Sequence, residues 1–217
     1  WACAVTRFGR LRFADVLAPA IELAENGFPV YPEFSRRTED RSALFVDRYP
    51  STAAIYCPGG RIPQTGELFR NPDFAATLRI MVAAEEASTG GRESGIEAAR
   101  KAFYSGSIAE KVVRFIETPL LDDSGEEHAG LLNAEDLSYW QATAEDPCSV
   151  DFRGVEVHKC GPWTQGPVFL QQLKLLDGFD LSRMGHNSAE YLHAIIECAK
   201  LAFADREAYY GDPHFDQ

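Results

Sequence analysis

Cysteines spaced for metal or redox work are missing from this chain. Cys3, Cys57, Cys148, Cys160 and Cys198 stand far apart, with no Cys-x-x-Cys pair, so neither a zinc ribbon nor a thioredoxin-type motif is written here. Their odd number leaves at least one thiol unpaired, which leans toward a reducing compartment such as the cytoplasm and leaves the periplasm open. No apolar run approaches the ~20 residues of a bilayer-spanning helix, so a helical membrane span is excluded. Basic residues are in deficit: 21 Lys and Arg against 33 Asp and Glu give a net charge of −12. Such a surface repels a phosphate backbone, which excludes nucleic acid as a partner. The acidic group Asp122, Asp123, Glu126 and Glu127 reads as solvated surface rather than a cation site. Neither a P-loop, nor a Gly-x-Gly-x-x-Gly turn after a strand, nor a Gly-x-Ser-x-Gly elbow is present. The chain opens Trp1-Ala2-Cys3 without an initiator methionine or a basic-then-apolar leader, and reads as a piece of something longer.

What is present is ordinary material for a buried core: 45% hydrophobic and 25% charged residues over 217 positions. Helical signals dominate. Val16, Leu17, Ile21 and Leu23 lie on a helix over 13–26 that stops at Gly27, with Pro19 expected at a first turn or a kink between two shorter helices. A second helix is expected between Pro32 and Pro50, followed by a Gly/Pro-rich loop over 55–66. Asn71-Pro72 provides an N-cap and first-turn proline for a helix closed by Gly90-Gly91. Another helix spans about 94–104. Ser107 and Glu110 have capping-box spacing, Asn133 caps a short helix, and 118–130 is a polar surface loop. The strand signal lies between Pro147 and Cys160, where alternating Val150, Phe152, Val155 and Val157 surround Arg153-Gly154 as in a hairpin. Cys148 and Cys160 flank it. Leu170, Leu173 and Leu176 mark a further helix ended by Gly178. A long last helix, with Asn187 as cap and Glu190 at N3, runs to about Tyr209. The expected fold is α+β, predominantly helical with one small β element. Residues 1–217 are taken as one segment without a clear internal boundary, the acidic loop being the sole candidate.

Few residues form a chemical constellation. His193 and Glu197 share a helix face, but the His-Glu-x-x-His pattern of a zinc site is broken, and a metal hydrolase built from His193, Glu197, Asp212 and His214 is the third-ranked reading. Asp205-Arg206 has the residue types for acid–base work and equally those of a helix-end salt bridge. The segment Gly161-Pro162-Trp163-Thr164-Gln165-Gly166-Pro167 joins the hairpin to a helix N-terminus, where free backbone amides face anions. Trp163, Thr164, Gln165 and Gly166 are therefore the candidate substrate-binding residues, with Trp163 as an apolar wall. The same residues also suit a rigid turn capped by Thr164.

Several collinear strings carry a resemblance. Phe8-Gly9-Arg10-Leu11-Arg12-Phe13-Ala14-Asp15 runs into Ala20-Ile21-Glu22-Leu23-Ala24-Glu25-Asn26-Gly27-Phe28-Pro29-Val30. Asn71-Pro72 with Thr77-Leu78, Ala102-Phe103-Tyr104-Ser105-Gly106 and Leu131-Leu132-Asn133-Ala134-Glu135-Asp136-Leu137 follow in order. Phe152-Arg153-Gly154-Val155-Glu156-Val157, Lys200-Leu201-Ala202-Phe203-Ala204-Asp205-Arg206 and Tyr210-Gly211-Asp212-Pro213 complete the set. Together they resemble the large-subunit region of γ-glutamyltranspeptidases across nearly the whole chain.

That resemblance implies part of an N-terminal nucleophile hydrolase, an αββα sandwich made as one self-cleaving precursor, here incomplete at both ends. In the family a newly exposed N-terminal threonine attacks a γ-glutamyl amide, with its own amine as base. No metal or organic cofactor is implied. The threonine and the oxyanion-site groups would lie after Gln217, in a small subunit of the same precursor, and the arginine for the substrate carboxylate before Trp1. No catalytic residue of the family therefore maps onto this chain, and it alone is expected to be inactive. The substrate class is a small γ-glutamyl compound or another amide. One departure stands out: Gly161 to Pro167 replaces the Pro-rich, Ser-Ser-Gly-Gly stretch of typical transpeptidases. This points to an amidohydrolase-like branch in which water is the acceptor. The alternative reading is a non-enzymatic helical binding module that has lost the nucleophile.

Overall fold

Phe13, Leu17, Ile21 and Ala24 recur at three- and four-residue intervals, and all four are buried, as one stripe of a helix laid on a core demands. The structure, a computed structural model, describes residues 1–122 and 124–215. Two compact units divide the chain, Trp1–Ala142 and Thr143–Gln217. The division falls beyond the acidic loop.

The first unit opens with α1 (Ala2–Phe8) and α2 (Phe13–Asn26), then β1 (Phe28–Pro29), α3 (Pro32–Arg48), α4 (Pro50–Tyr56) and β2 (Leu68–Phe69). α5 (Pro72–Ala87), α6 (Arg92–Tyr104) and α7 (Ser107–Ile116) follow, then β3 (Leu120–Leu121), β4 (Glu127–His128) and α8 (Ala134–Tyr139). Its core joins the α2 stripe to Ala75, Leu78 and Met81 of α5, Ile96 and Ala99 of α6, and Ile108 of α7. A second apolar cluster is aromatic: Phe34 packs on Phe69 at 4.9 Å between ring centres, and Tyr56 stacks on Phe69 at 5.7 Å. It holds α3 and α4 over the antiparallel β1–β2 pair. The C-terminal carbonyls of α1 are met by Arg92, whose guanidinium donates to Val5 O at 3.1 Å and Thr6 O at 3.0 Å. A cation at that helix end also suits the macrodipole.

The second unit contains β5 (Cys148–Phe152), β6 (Val155–Lys159), α9 (Gly166–Leu176), α10 (Leu181–Met184) and α11 (Ala189–Tyr209). β5 and β6 pair antiparallel with Val150 opposite Val157 and Phe152 opposite Val155. Arg153 at φ 55° and Gly154 at φ 82° form the two-residue turn, both in the left-handed region, as a tight hairpin turn with the right twist requires. α9 packs on both strands and on α11.

The helical character, the hairpin and the Asn71 and Asn133 caps agree with the expectations from sequence; Asn71 Oδ1 accepts Phe74 N–H at 3.0 Å and Asn133 Oδ1 accepts Asp136 N–H at 3.0 Å. The short helices α1, α4 and α10 are not among the expected elements, and α4 takes Ile55 and Tyr56 from the stretch read as loop; four other details differ. α2 is one helix despite Pro19: its buried stripe keeps both halves on one axis, while Asp15 and Pro19 lie on the exposed side, where water can serve the carbonyl that proline leaves unbonded. No capping box forms at Ser107, because Gly106 takes the N-cap position and Ser107 becomes the first helical residue. α11 is capped by Ser188, whose Oγ accepts Tyr191 N–H at 3.1 Å, while Asn187 sits at φ 59° in the preceding turn. Two further strand pairs, β1–β2 and β3–β4, accompany the hairpin; with two residues per strand they carry no alternation to read. Asp123 of the acidic group lies outside the described residues.

Candidate functional site

The ladder ends at Lys159, and seven residues later α9 begins, so the chain must reverse within a short span. Three hydrogen bonds accomplish this. Thr164 N–H donates to Gly161 O at 3.0 Å, Thr164 Oγ1 donates to the same carbonyl at 2.9 Å, and Gly166 N–H donates to Thr164 Oγ1 at 2.9 Å. Gly166 is buried against its own chain: a Cβ there would meet Cys160 O at 2.1 Å. Only glycine allows that approach. Gln165 is the N-cap residue of α9 and contributes no side-chain cap bond.

This geometry separates the four candidate residues. Thr164 and Gly166 serve the turn itself, and with Pro167 lacking an N–H, two of the first amides of α9 have no hydrogen to offer a ligand. Trp163 points its indole outward, 55% exposed, and its Nε1 donates to Glu145 Oε2 at 2.8 Å, which fixes the ring's orientation. Gln165 Oε1 accepts from Arg206 Nη1 at 3.2 Å. Asp205 and Arg206 do not pair with each other. Arg206 binds Glu207 and Gln165 and lies over the Phe203 ring at 5.0 Å, whereas Asp205 accepts from Gln171 Nε2. The other end of that amide is also satisfied, because Tyr210 OH donates to Gln171 Oε1 at 2.8 Å. Gln171 thus links α9 to both the body and the end of α11. Sequence reasoning missed it: glutamine on a helix has no pattern of its own, and its partners lie 34 and 39 residues away.

The other candidates are not assembled into a centre. Glu197 binds Lys200 Nζ at 2.9 Å, and that hydrogen bond, outweighing desolvation, holds its carboxyl below the usual range. Asp212 Oδ1 accepts His214 N–H at 2.9 Å in a local turn. Among the described residues no group of three or more His, Cys, Asp or Glu side chains could hold a metal ion. Cys148 faces Lys159 across the hairpin, so Cys160 lies beyond the ladder, and both thiols are free. In the first unit, a cavity of about 670 Å³ is walled by Tyr104, Glu110, Arg114 and Ser138.

The γ-glutamyltranspeptidase family model matches residues 1–217. The glutathione hydrolase-like YwrD proenzyme of Bacillus subtilis (strain 168) is 31% identical over 215 residues, which is 99% of this chain and 36% of that protein. The acylase ACY 1 proenzyme of Pseudomonas sp. (strain V22) is 32% identical over 216 residues, 99% of this chain and 34% of that protein. The solved structure of LmbA2991HD superposes with a TM-score of 0.91 at 43% identity, covering 98% of this chain and 36% of that one. The chain therefore spans about a third of the length of the curated relatives it matches.

Proposed function

This chain belongs to the γ-glutamyltranspeptidase family, and we propose that it is the segment before the catalytic threonine in an amide-cleaving, self-processed precursor. The observation that carries this is the match over the whole chain to relatives named as glutathione hydrolase-like and acylase proenzymes, of which it covers about a third. In the proposed reaction the downstream threonine Oγ adds to the amide carbonyl and its proton passes to the threonine's own amine. The C–N bond then breaks and the protonated amine leaves, and water cleaves the resulting ester to release the acid and regenerate the threonine. The substrate is a small γ-glutamyl compound or a related amide.

Within this chain the proposed contribution to specificity is the turn 161–167. Its support is that Trp163 presents an exposed indole whose orientation Glu145 fixes, on a turn held rigid by Thr164 and Gly166. At the mouth of an acyl cleft such a wall disfavours bulky amine acceptors and leaves water to complete the cycle. The test is Trp163→Ala in the full-length, self-processed protein, with the ratio of hydrolysis to transfer measured against an added amine acceptor. A rise in transfer supports the reading; an unchanged ratio in a destabilised protein assigns Trp163 to packing.

A further inference from the structure

Asp205, Arg206 and Tyr210 belong to the strings that carry the family resemblance, yet none of them forms a reacting centre. Their hydrogen bonds converge instead on α9. Arg206 Nη1 donates to Gln165 Oε1 at 3.2 Å, at the N-cap of that helix. Further along α9, Gln171 is held at both ends of its amide: Nε2 donates to Asp205, and Oε1 accepts from Tyr210 OH at 2.8 Å. The two attachment points stand about 9 Å apart along the helix, from six residues at 1.5 Å each. Attachment at two such points resists both sliding and rotation of α9.

The turn before α9 needs that anchoring. Thr164 and Gly166 make residues 161–167 rigid among themselves, but internal bonds do not fix where a rigid turn stands. Apolar contact between α9 and α11 fixes it only loosely, because apolar attraction is non-directional and the side chains that α11 buries are the small Ala194, Cys198 and Ala202. Hydrogen bonds are directional, and the guanidinium of Arg206 is prepared for its own. Its Nε donates to Glu207 Oε1 at 2.9 Å, and its central carbon lies 5.0 Å from the centre of the Phe203 ring. One edge and one face are thus occupied, and Nη1 is left for Gln165. A planar fork with several donors can do this; a lysine ammonium cannot.

We infer that Asp205, Arg206 and Tyr210 are positioning residues for acceptor selection. Through Gln165 and Gln171 they set where Trp163 stands, and with it how strongly amine acceptors are disfavoured against water. The inference rests on the proposed reading of the turn as a specificity element, and it adds the device that places that element.

The experiment uses the full-length protein labelled with fluorinated tryptophan, as the parent and as Arg206→Met, Gln165→Met, Gln165→Glu, Trp163→Ala and the double variant Arg206→Met with Trp163→Ala. The ratio of hydrolysis to transfer is measured for each, together with the fluorine NMR spectrum, in which the Trp163 signal is the one that Trp163→Ala removes. Arg206→Met and Gln165→Met should each displace that signal and raise transfer several-fold. Gln165→Glu keeps an acceptor for Arg206 and should retain the parental ratio. In the double variant Arg206→Met should add nothing to Trp163→Ala, because the wall it places is gone. Should Arg206→Met fail to fold, Gln165→Met breaks the same bond from an exposed position and decides the question. Trp163→Ala with an unchanged ratio overturns the specificity reading and this inference with it. A raised transfer in Trp163→Ala, with an unmoved Trp163 signal and the parental ratio when the Arg206–Gln165 bond is broken, overturns the inference alone.

Discussion

The carboxylate of Glu85, on α5, accepts the backbone N–H of Phe13 at 2.8 Å, and its second oxygen accepts Ala14 N–H at 2.6 Å. A side chain from one helix thus caps the start of another, 72 residues away in sequence, inside the core. Glu85 is 5% exposed, and a buried carboxylate is tolerable only when its oxygens are bonded in this way. The positive end of the α2 dipole adds to the attraction. Replacing it with Leu leaves two amides without acceptors, at a cost of about 1–3 kcal/mol for each unsatisfied group, whereas Glu85→Gln keeps one acceptor and loses less. Denaturant midpoints for the two variants should rank in that order below the parent protein; equal stability of all three contradicts the capping role.

Gly95 lies against that carboxyl-bearing side chain. A Cβ there would sit 2.8 Å from Glu85 Cγ and 3.3 Å from Glu85 O. Gly95→Ala, although it favours the helix by propensity, should therefore lower thermal stability, and Glu85→Gln in the same chain should show coupling rather than simple addition. Additive effects in a double-mutant cycle would show that the two positions act separately.

Glu33 in the first turn of α3 accepts from Arg36 at 2.7 Å and from Arg37 at 2.6 Å. Hydrogen bonding from Arg36 first and Arg37 second lowers its pKa from 4.5 to about 2. A depressed carboxyl contributes stability above its unfolded pKa and loses it as pH falls through the folded one, so this contribution fades between about pH 4.5 and 2. The group is solvent-exposed, so the direction is the prediction. Carboxyl-carbon NMR should find Glu33 still ionised at pH 3, and Arg36→Ala should return its titration toward the ordinary range. A midpoint near 4.5 in the parent protein is the contrary outcome.

The hairpin turn gives a backbone prediction. Gly154 at φ 82° follows Arg153 at φ 55°, and a side chain in the left-handed region costs roughly 1–2 kcal/mol. Gly154→Val should destabilise the second unit, seen as faster amide exchange across β5 and β6, whereas Arg153→Gly should relieve strain at the turn while forfeiting the Arg153 bond to Phe179 O. Exchange unchanged by Gly154→Val would show that the turn does not limit hairpin stability.

Much of the fold was legible because its signals are local. Leu17 and Ile21 show the helical spacing of a buried stripe, although Val16 and Leu23, read with them, are exposed; Asn71-Pro72 and Asn133 announce helix starts, and Val150 to Val157 alternate around Arg153-Gly154. What escaped depends on contacts between distant positions. Glu85 shares the helical spacing of Leu78 and Met81, but its capping role emerges only when Phe13 is brought beneath it. Gln171 acquires meaning only when α11 delivers Asp205 and Tyr210. Of the candidate site, the position of the turn was readable from Gly, Pro and the following leucines. The division of labour within it was not: Thr164 and Gly166 close the turn, while Trp163 and Gln165 are left exposed, the first held by Glu145 and the second by Arg206. Ser107 and Asn187 show the limit for caps, since a neighbouring Gly106 or Ser188 one position away takes the role.

We propose that this chain belongs to a precursor that cuts itself to release a catalytic threonine. Expression of the full-length gene, followed by intact-mass analysis and assay on γ-glutamyl-p-nitroanilide, tests it directly. The expected result is two fragments, the larger containing residues 1–217 and the smaller beginning with threonine, with turnover appearing only after cleavage. A single uncut chain without amidase activity on this or a panel of other small amides would contradict it.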